Sequence, residues 1–244
     1  MSSVREDLTI LNKFNFQVKP VAVSFFTKQP EGLNRLETTI PFCLMVKRAQ
    51  EGAPFYADEE NHACEVGPYV LGGKEVPRQF TSGEYGVGHK HFKEARAMRR
   101  IYQIIPKMEK NIISCVAFSS IDALSFEPDL LIVVADFDQA QVLLRAMTYT
   151  TGKPYTSKFT GVMGCTWMYL YPYLTGELNY WPANLSAGMK LLKVFPEGML
   201  VLSIPYDLLP TILKNLQDMP WVLPIHQGGE EFRLRLKREL GMIQ

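Results

Sequence analysis

Residues 129–147 read DLLIVVADFDQAQVLLRAM, an apolar run followed by a short polar turn and an amphipathic segment. The unbroken apolar residues at 130–135 predict a strand. Asp138 predicts the N-cap of a helix over 138–147, because its carboxylate can accept a hydrogen bond from an otherwise unpaired backbone N–H group. A strand, a tight turn and a helix in this order favour an α/β fold.

A second stretch, GMLVLSIPYDLLPTILKNL at 198–216, aligns with the first without gaps. Asp138 meets Asp207 in this alignment, and several apolar positions coincide. The second stretch therefore predicts a strand over 199–204, an aspartate N-cap and a helix over 207–216. The agreement indicates that one strand–helix unit occurs twice in the chain.

A looser match extends the comparison upstream. Cys43 and Cys165 each open a predicted helix that stops at a glycine and precedes a pair of aromatic residues. A true duplication would place the halves at about 18–148 and 159–217, with the two cysteines in equivalent positions. Ligand sites often form between such halves. Chance similarity of two strand–helix units is the alternative.

The remaining periodicity predicts a chain rich in both helices and strands. Further strands are predicted at 21–26, 55–56, 112–118 and 159–164. Further helices are predicted at 4–14, 42–50, 66–71, 89–105, 165–174, 187–195 and 230–240. The polar stretches at 28–39 and 74–88 are predicted to be loops.

These elements predict an α/β protein, with α+β as the alternative, in which mixed sheets are flanked by helices. Two weakly related halves are expected to pack as one globular unit. The unit is expected to be a single domain over 1–244, in which residues 225–244 form a C-terminal helix.

Composition and charge exclude several classes of protein. Of the 244 residues, 47% are apolar and 21% are charged, and the formal net charge is +1. This balance gives no electrostatic reason to bind nucleic acid, and no apolar run approaches the ~20 residues that span a bilayer. The first residues, MSSVREDLTILNKF, carry charges where a secretion signal needs an apolar centre, which predicts a cytoplasmic protein.

The stretch at 41–73, PFCLMVKRAQEGAPFYADEENHACEVGPYVLGG, combines reactive side chains with turn residues and is interpreted as the wall of a site. Cys43 and Cys165 both lie at predicted helix N-termini, where free N–H groups and the helix dipole lower the pKa of a thiol. The alternative is that they are small buried apolar residues. That alternative is favoured for Cys165, which lies among aromatic residues, while both interpretations stay open for Cys43.

His62 and Cys64 stand two residues apart and behind three acidic residues. Together with Cys43 they are the candidate ligands of a soft metal site, which would hold zinc or an iron–sulfur cluster. The spacing of the cysteines is not that of a familiar zinc motif, and buried thiols are the alternative.

The glycine-rich run at 83–90, GEYGVGHK, precedes the predicted helix at 89–105. Glycines at a helix start can cradle a phosphate group, but the run departs from the Walker pattern and is better explained as a flexible loop. His89 and His91 are expected to point away from each other on the helix, which argues against a shared metal ion.

Four pieces of the chain together resemble one known family. They are the strand at 21–26 after Pro20, the segment Phe42-Cys43…Lys47-x-Ala49…Gly52…Phe55-Tyr56, the segment Cys64-x-x-Gly67…Leu71-Gly72, and the run Pro-Tyr-Leu-Thr-Gly at 172–176. In their order they resemble the domain of unknown function 169 (DUF 169) family of bacteria and archaea. The resemblance covers most of residues 18–217, and the segment that contains the cysteines is its most specific part.

The resemblance implies a cytoplasmic α/β protein without an established activity. Many members of the family carry a further cysteine in a glycine-rich turn, at a position that corresponds to residues 184–188. This chain has Asn-Leu-Ser-Ala-Gly there. The departure weakens the interpretation of a cluster held by several cysteines.

The leading hypothesis is a protein that binds a small molecule or a metal cofactor at a cysteine-lined site between the two halves. The candidate ligand-binding residues are Cys43, Lys47, Tyr56, Cys64, Gly67, Cys165 and Tyr180. A thiol- or metal-dependent redox enzyme that uses Cys43 is the first alternative, and an oligomeric scaffold without a ligand is the second. Neither nucleic acid nor a membrane is an expected partner, whereas a homo-oligomer is compatible with the sequence.

Overall fold

The structure, a computed structural model, describes residues 8–64, 66–222 and 229–243. Within these residues, seven strands form a single sheet in the order β2-β3-β4-β1-β5-β7-β6. The strands are β1 (Val21–Phe26), β2 (Asn34–Arg35), β3 (Phe55–Asp58), β4 (Cys115–Ser120), β5 (Leu130–Ala135), β6 (Asn179–Pro182) and β7 (Leu200–Pro205). Among the described strands, only β2 and β3 pair in parallel, and the other neighbours are antiparallel.

Helices cover both faces of the sheet. They are α1 (Phe42–Glu51), α2 (Gly67–Val70), α3 (Arg78–Ser82), α4 (Glu84–Gly88), α5 (Ala95–Ile104), α6 (Phe137–Thr148), α7 (Tyr171–Thr175), α8 (Ala187–Leu192), α9 (Leu209–Asp218) and α10 (Gly229–Glu239). A π-helix over Thr166–Leu170 leads into α7, and 3-10 helices occupy Leu8–Phe14, Glu59–Asn61, Ile121–Ala123 and Tyr206–Leu208. Each helix of the described residues is too short or too polar to cross a membrane. The arrangement confirms the α/β prediction.

The two faces have separate hydrophobic cores, because alternate residues of a strand point to opposite sides. In β5, Leu130, Ile132 and Val134 pack with α1 and the π-helix on one face. Leu131 and Val133 pack with α6, α9 and the helix at Leu8–Phe14 on the other. The candidate site residues Cys43 and Cys165 belong to the first core, which we call the α1 face.

The order of the strands is symmetric about the centre of the sheet. From the central pair outward, one side runs β1-β4-β3 and the other runs β5-β7-β6, and the first side carries β2 as an additional edge strand. Strands β1 and β5 pair antiparallel there, with Val21 opposite Ile132. Matching the two sides strand by strand pairs β3 with β6. It also pairs α1, which precedes β3, with the helical stretch at 164–175, which precedes β6, as in the looser sequence match. The gapless alignment instead pairs β5 with β7, which are neighbours on the same side of the sheet. The looser sequence match and the gapless alignment therefore relate different pairs of strands. The internal duplication stays a prediction.

The structure corrects the prediction of which aspartate is the N-cap of α6. Strand β5 has the predicted bounds, but the N-cap of α6 is Asp136 rather than Asp138. The side chain of Asp136 accepts a hydrogen bond from the Gln139 N–H at 2.8 Å, and the Gln139 side chain accepts one from the Asp136 N–H at 2.9 Å. Asp207 lies inside the 3-10 helix at Tyr206–Leu208 and is not an N-cap either.

Several other predicted elements differ from the structure. The predicted loop at 74–88 contains α3 and α4, and the predicted helix at 89–105 begins only at Ala95. The predicted strand at 159–164 has no strand in this described part of the chain, and β4 begins three residues later than predicted. Predicted residues 4–7 of the first helix, 225–228 of the last and residue 244 lie outside the described residues.

Gly83 explains why two helices replace the predicted flexible loop. It joins α3 to α4 with a φ of 86°, and a Cβ atom there would lie 2.1 Å from the Ala95 carbonyl oxygen. Only glycine combines this left-handed conformation with such a close approach of two backbones. The glycine-rich run therefore packs closely against the start of α5.

Candidate functional site

A cavity of about 400 Å³ opens on the α1 face, between residues 41–91 of the first half of the chain and 161–192 of the second. Three of the four cysteines line it, namely Cys43, Cys64 and Cys165. All four cysteines of the protein are free thiols. The structure thus brings together three of the predicted ligand-binding residues, although they are far apart in sequence.

Cys43 lies on the cavity floor with 6% of its surface exposed. It is the second residue of α1, because Pro41 cannot extend the helix further and Phe42 begins it. The pKa of Cys43 lies below its ordinary value, chiefly because the Cys165 thiol donates a hydrogen bond to it and also because the N–H groups of Cys43 and Leu44 do so. Burial opposes this shift. The predicted effect of the helix N-terminus is therefore present but secondary.

Cys165 has the opposite electrostatic environment. Its pKa is raised well above the ordinary value by the hydrogen bond to Cys43, by burial and by the nearby charge of Cys43 and Cys64. Cys165 is the second residue of the helical stretch at 164–175, so it too lies at a helix start. The backbone N–H group at this helix start does lower the pKa of Cys165, as expected, but its effect is smaller than those of Cys43 and of burial, which raise it. The interpretation of Cys165 as a buried thiol agrees with this environment.

Gly67 allows Cys64 and His62 to approach the same point. The Gly67 N–H donates a hydrogen bond of 3.3 Å to the Cys64 Sγ atom. A Cβ atom at Gly67 would lie 3.0 Å from Cys64 Sγ and 3.1 Å from His62 Nδ1. Because Gly67 has no side chain, it leaves the space that the side chains of Cys64 and His62 occupy.

His62 is buried beside the cysteine cavity and is neutral near pH 7. Desolvation lowers its pKa to about 4, and Lys74 adds to this effect while Asp58 opposes it. Its Nδ1 atom is buried and lacks a hydrogen-bond partner among the described residues. A neutral imidazole with a free nitrogen is chemically competent to accept a hydrogen bond or to bind a metal ion.

The three predicted metal ligands, Cys43, Cys64 and His62, nevertheless do not form a group of three in the described part of the chain. In the described part of the chain, no group of three or more His, Cys, Asp and Glu side chains is placed to hold a metal ion. Cys43 and Cys64 line the cysteine cavity, whereas His62 lines a separate polar cleft of about 600 Å³ with Asp58. Metal binding by Cys43, Cys64 and His62 stays a prediction.

The other three candidate residues lie elsewhere. Lys47 is exposed on α1 and lines a different groove near Lys193. Tyr56 packs with Cys115 in a small cluster away from the α1 face, and Tyr180 packs against the core of the opposite face. Their neighbours Phe55 and Trp181 face the α1 side instead.

The alternation of side chains along a strand explains why Tyr56 and Tyr180 lie away from the cavity. In each predicted aromatic pair, one ring must point to the α1 face and the other away from it, since successive side chains of a strand alternate. The sequence identifies the pairs but contains no local signal that says which member faces the cavity.

Two histidines that were not predicted as site residues also line the cavity. His89 and His91 both line the cavity, with their rings 6.0 Å apart, and His89 lies 4.4 Å from the Tyr85 ring. They are not on a helix, because Lys90 between them has a φ of 56°. This left-handed turn brings both rings to the same side, and the expected divergence of the two side chains is wrong.

Comparison with known proteins agrees with the sequence motifs. The family DUF169, described as uncharacterised ArCR, matches residues 9–215. Uncharacterized protein MJ0308 of Methanocaldococcus jannaschii is 24% identical over 223 residues, which cover 89% of this chain and 95% of that protein. No solved structure gives a significant match. Because the family match spans most of the chain, the protein belongs to the DUF169 family.

Proposed function

We propose that the protein binds a small organic molecule in the cysteine cavity, the cavity lined by Cys43, Cys64 and Cys165, and that the Cys43 sulfur contacts the polar or electrophilic group of this ligand. The observation that carries the proposal is the placement of a thiol of lowered pKa on the floor of a cavity of about 400 Å³. A volume of this size is typical of small-molecule sites.

The side chains that line the cavity favour a ligand with an apolar body. Buried Val162, Met163 and Met189 line the floor around the cysteines, and half-exposed Leu192 lines the entrance. Burial of apolar ligand surface against such side chains contributes about 25 cal/mol per Å². The Cys43 sulfur then supplies the directional contact, and its lowered pKa favours the thiolate form, whose charge-assisted hydrogen bonds are the stronger ones.

The backbone at the cavity also supports a binding role. Met163 has a φ of 56°, a left-handed conformation that costs roughly 1–2 kcal/mol for a residue with a side chain. Strained residues of this kind cluster at functional sites. The scaffold alternative requires the absence of a pocket beside Cys43, so the presence of the cavity favours a ligand.

Alkylation by iodoacetamide tests the reactivity of Cys43. At pH 7 we expect Cys43 to react at least about tenfold faster than Cys115, because burial raises the pKa of Cys115 to about 11 while that of Cys43 lies below the ordinary value. Peptide mass spectrometry gives both rates in the folded protein. Equal rates, or a Cys43 that reacts only after unfolding, would contradict the proposal.

Filling the cavity tests whether it is the route to Cys43. Gly188 lies in α8 at the entrance, and apart from its chain neighbours and the backbone of its own helix, a Cβ atom there would meet no atom of the described residues within 4 Å. Gly188→Leu is therefore expected to preserve the fold and to slow alkylation of Cys43 about tenfold, because a leucine side chain occupies the entrance.

Gly88→Leu is the matched control for this substitution. Gly88 is exposed in α4, its Cβ position is equally open with respect to the described residues, and it lies outside the described lining of the cavity. We expect it to leave the alkylation rate unchanged. If Gly188→Leu leaves the rate unchanged as well, access to Cys43 does not run through the cavity.

Elemental analysis of protein purified without air separates an organic ligand from a metal cofactor. Native mass spectrometry of the same sample is expected to show a bound organic molecule that Gly188→Leu displaces. Stoichiometric zinc or iron that is lost in Cys43→Ser would replace this proposal with the metal hypothesis. A wild-type protein that carries no ligand and whose Cys43 is inert would overturn both.

A further inference from the structure

Two cysteines from different halves of the chain meet on the cavity floor. Cys43 opens α1, Cys165 stands at the start of the helical stretch at 164–175, and both helices pack on the α1 face. Both side chains line the same cavity and pack in the same buried cluster, and each is the hydrogen-bond partner of the other. Both are free thiols and both line the cavity. A paired dithiol at the bottom of an open cavity is the arrangement that thiol–disulfide exchange requires.

We propose that Cys43 and Cys165 form a redox-active dithiol that reduces small disulfide compounds admitted to the cavity. This proposal deepens the function proposed above and rests on it, because the disulfide compound is the electrophilic ligand that meets Cys43. Cys43 is the attacking residue and Cys165 is the resolving residue.

The environments of the two thiols assign these roles. Cys43 is held toward the thiolate by the hydrogen bond from Cys165 and by the N–H groups at the start of α1. Thiolate is the form that attacks a disulfide. Cys165 keeps its proton while Cys43 is charged, since the pKa of Cys165 is raised by that same neighbour. Once Cys43 is bonded to substrate its charge is gone, and the main obstacle to ionisation of Cys165 disappears.

The exchange proceeds in two balanced steps. Cys43 thiolate attacks one sulfur of R–S–S–R, a Cys43–S–S–R bond forms, the S–S bond of the substrate breaks, and RS⁻ leaves. Cys165 then loses its proton to the departing thiolate and attacks Cys43 Sγ, which releases the second RS⁻. The substrate gains two electrons and two protons and becomes two RSH molecules, with one proton from Cys165 and the other from solvent, which received it when Cys43 ionised. The protein dithiol is oxidised to a Cys43–Cys165 disulfide.

The cavity indicates the kind of substrate. Its entrance includes exposed Gly161 and Gly188, where no side chain projects, and its floor is apolar around the two sulfur atoms. A disulfide compound with small, uncharged substituents fits these walls. Cys64 lines the same cavity, so it is the competing partner that an experiment must distinguish from Cys165.

The test uses full-length reduced protein and 2-hydroxyethyl disulfide as the probe. After incubation, free thiols are blocked with N-ethylmaleimide, and the products are identified by intact mass and peptide mapping. Wild-type protein is expected to give an intramolecular Cys43–Cys165 disulfide and free mercaptoethanol. Cys43→Ser is expected to lower probe consumption at least about tenfold.

Two further variants check the order of the steps. Cys165→Ser is expected to stop at a mixed disulfide between Cys43 and mercaptoethanol, because the resolving thiol is missing. Cys64→Ser is expected still to give the Cys43–Cys165 disulfide, because Cys64 is not the resolving residue. Because Cys165 is buried, circular dichroism verifies that its variant folds, and the wild-type peptide map remains decisive if it does not.

The outcomes separate this inference from the ligand site. A Cys43–Cys64 disulfide, or a stable mixed disulfide in wild type, would overturn the role of Cys165 and leave the proposed ligand site intact. A Cys43 that reacts with iodoacetamide but not with the probe would overturn the exchange alone. A Cys43 inert to both reagents in the folded protein would overturn both proposals.

Discussion

Replacement of Phe42 with alanine is expected to lower the free energy of unfolding by about 3–5 kcal/mol. Phe42 is completely buried, and its ring lies 4.3 Å from that of Tyr169, 5.0 Å from that of His62 and 5.6 Å from that of Phe118. Removal of the ring deletes buried apolar surface and leaves a cavity between α1, β4 and the π-helix.

The size of this effect follows from the junction that Phe42 occupies. Phe118 and Tyr169 belong to β4 and the π-helix, which are fixed by their own hydrogen bonds, and Tyr169 donates a hydrogen bond of 3.3 Å to the Phe42 carbonyl oxygen. These rings cannot collapse into the space without moving the backbone, so the cavity persists. Denaturation by urea, monitored by circular dichroism, gives the free energy.

Phe137→Ala is the matched control for Phe42→Ala. Phe137 opens α6, but 66% of its surface is exposed, so its truncation is expected to change the free energy of unfolding by no more than about 0.5 kcal/mol. A loss of less than 1 kcal/mol for Phe42→Ala, or equal losses for both variants, would show that Phe42 does not anchor α1 to the sheet.

The second large effect is a loss of stability in mild acid that originates from His62. The pKa of His62 is lowered by burial from 6.5 to about 4 in the folded protein. The unfolded chain therefore binds a proton near pH 6.5, while the folded protein does so only near pH 4. Stability is full above pH 6.5, falls as the pH decreases toward 4, and levels off below it. The shift corresponds to about 3 kcal/mol.

Free energies of unfolding for wild type and His62→Gln, measured from pH 8 to pH 4, test this assignment. The glutamine variant lacks the buried titratable group, so the difference between the two curves is expected to shrink by about 3 kcal/mol across this interval. Arg35 holds the pKa of Asp58 below its usual range, which places the loss from that carboxylate at lower pH. His91→Gln removes an exposed histidine and is the matched control. Parallel curves for wild type and His62→Gln would refute the role of His62.

The sequence predicts the elements whose signals are local. The apolar runs at 21–26 and 130–135 are strands with the predicted bounds, and α1 begins after Pro41 with Cys43 in its first turn. Such runs and helix ends depend on residues within one turn or one strand of each other. The motifs around Cys43 and Cys64 likewise identify the family, because family membership is a property of the sequence itself.

Local signals fail where two segments compete or where a contact is distant. Asp136 and Asp138 both suit a helix N-cap, and the carboxylate that completes a reciprocal pair with Gln139 is the one that caps α6. The glycine-rich run was predicted to be a loop, whereas the close contact of Gly83 with Ala95 makes it a helical junction. Residue type alone predicts neither the choice of Asp136 as N-cap nor the helical junction at Gly83.

The sequence by itself determined the α/β class, the family, and the position of Cys43 at the start of a helix. Only the tertiary structure decided that Cys165 is the partner of Cys43, that His62 lines a different cleft from Cys43 and Cys64, and that Phe55 rather than Tyr56 faces the α1 side. The physical reason is that pKa values and cavity walls depend on burial and on neighbours contributed by distant segments. The two cysteines begin alike, at helix N-termini, and acquire opposite pKa shifts because they meet each other.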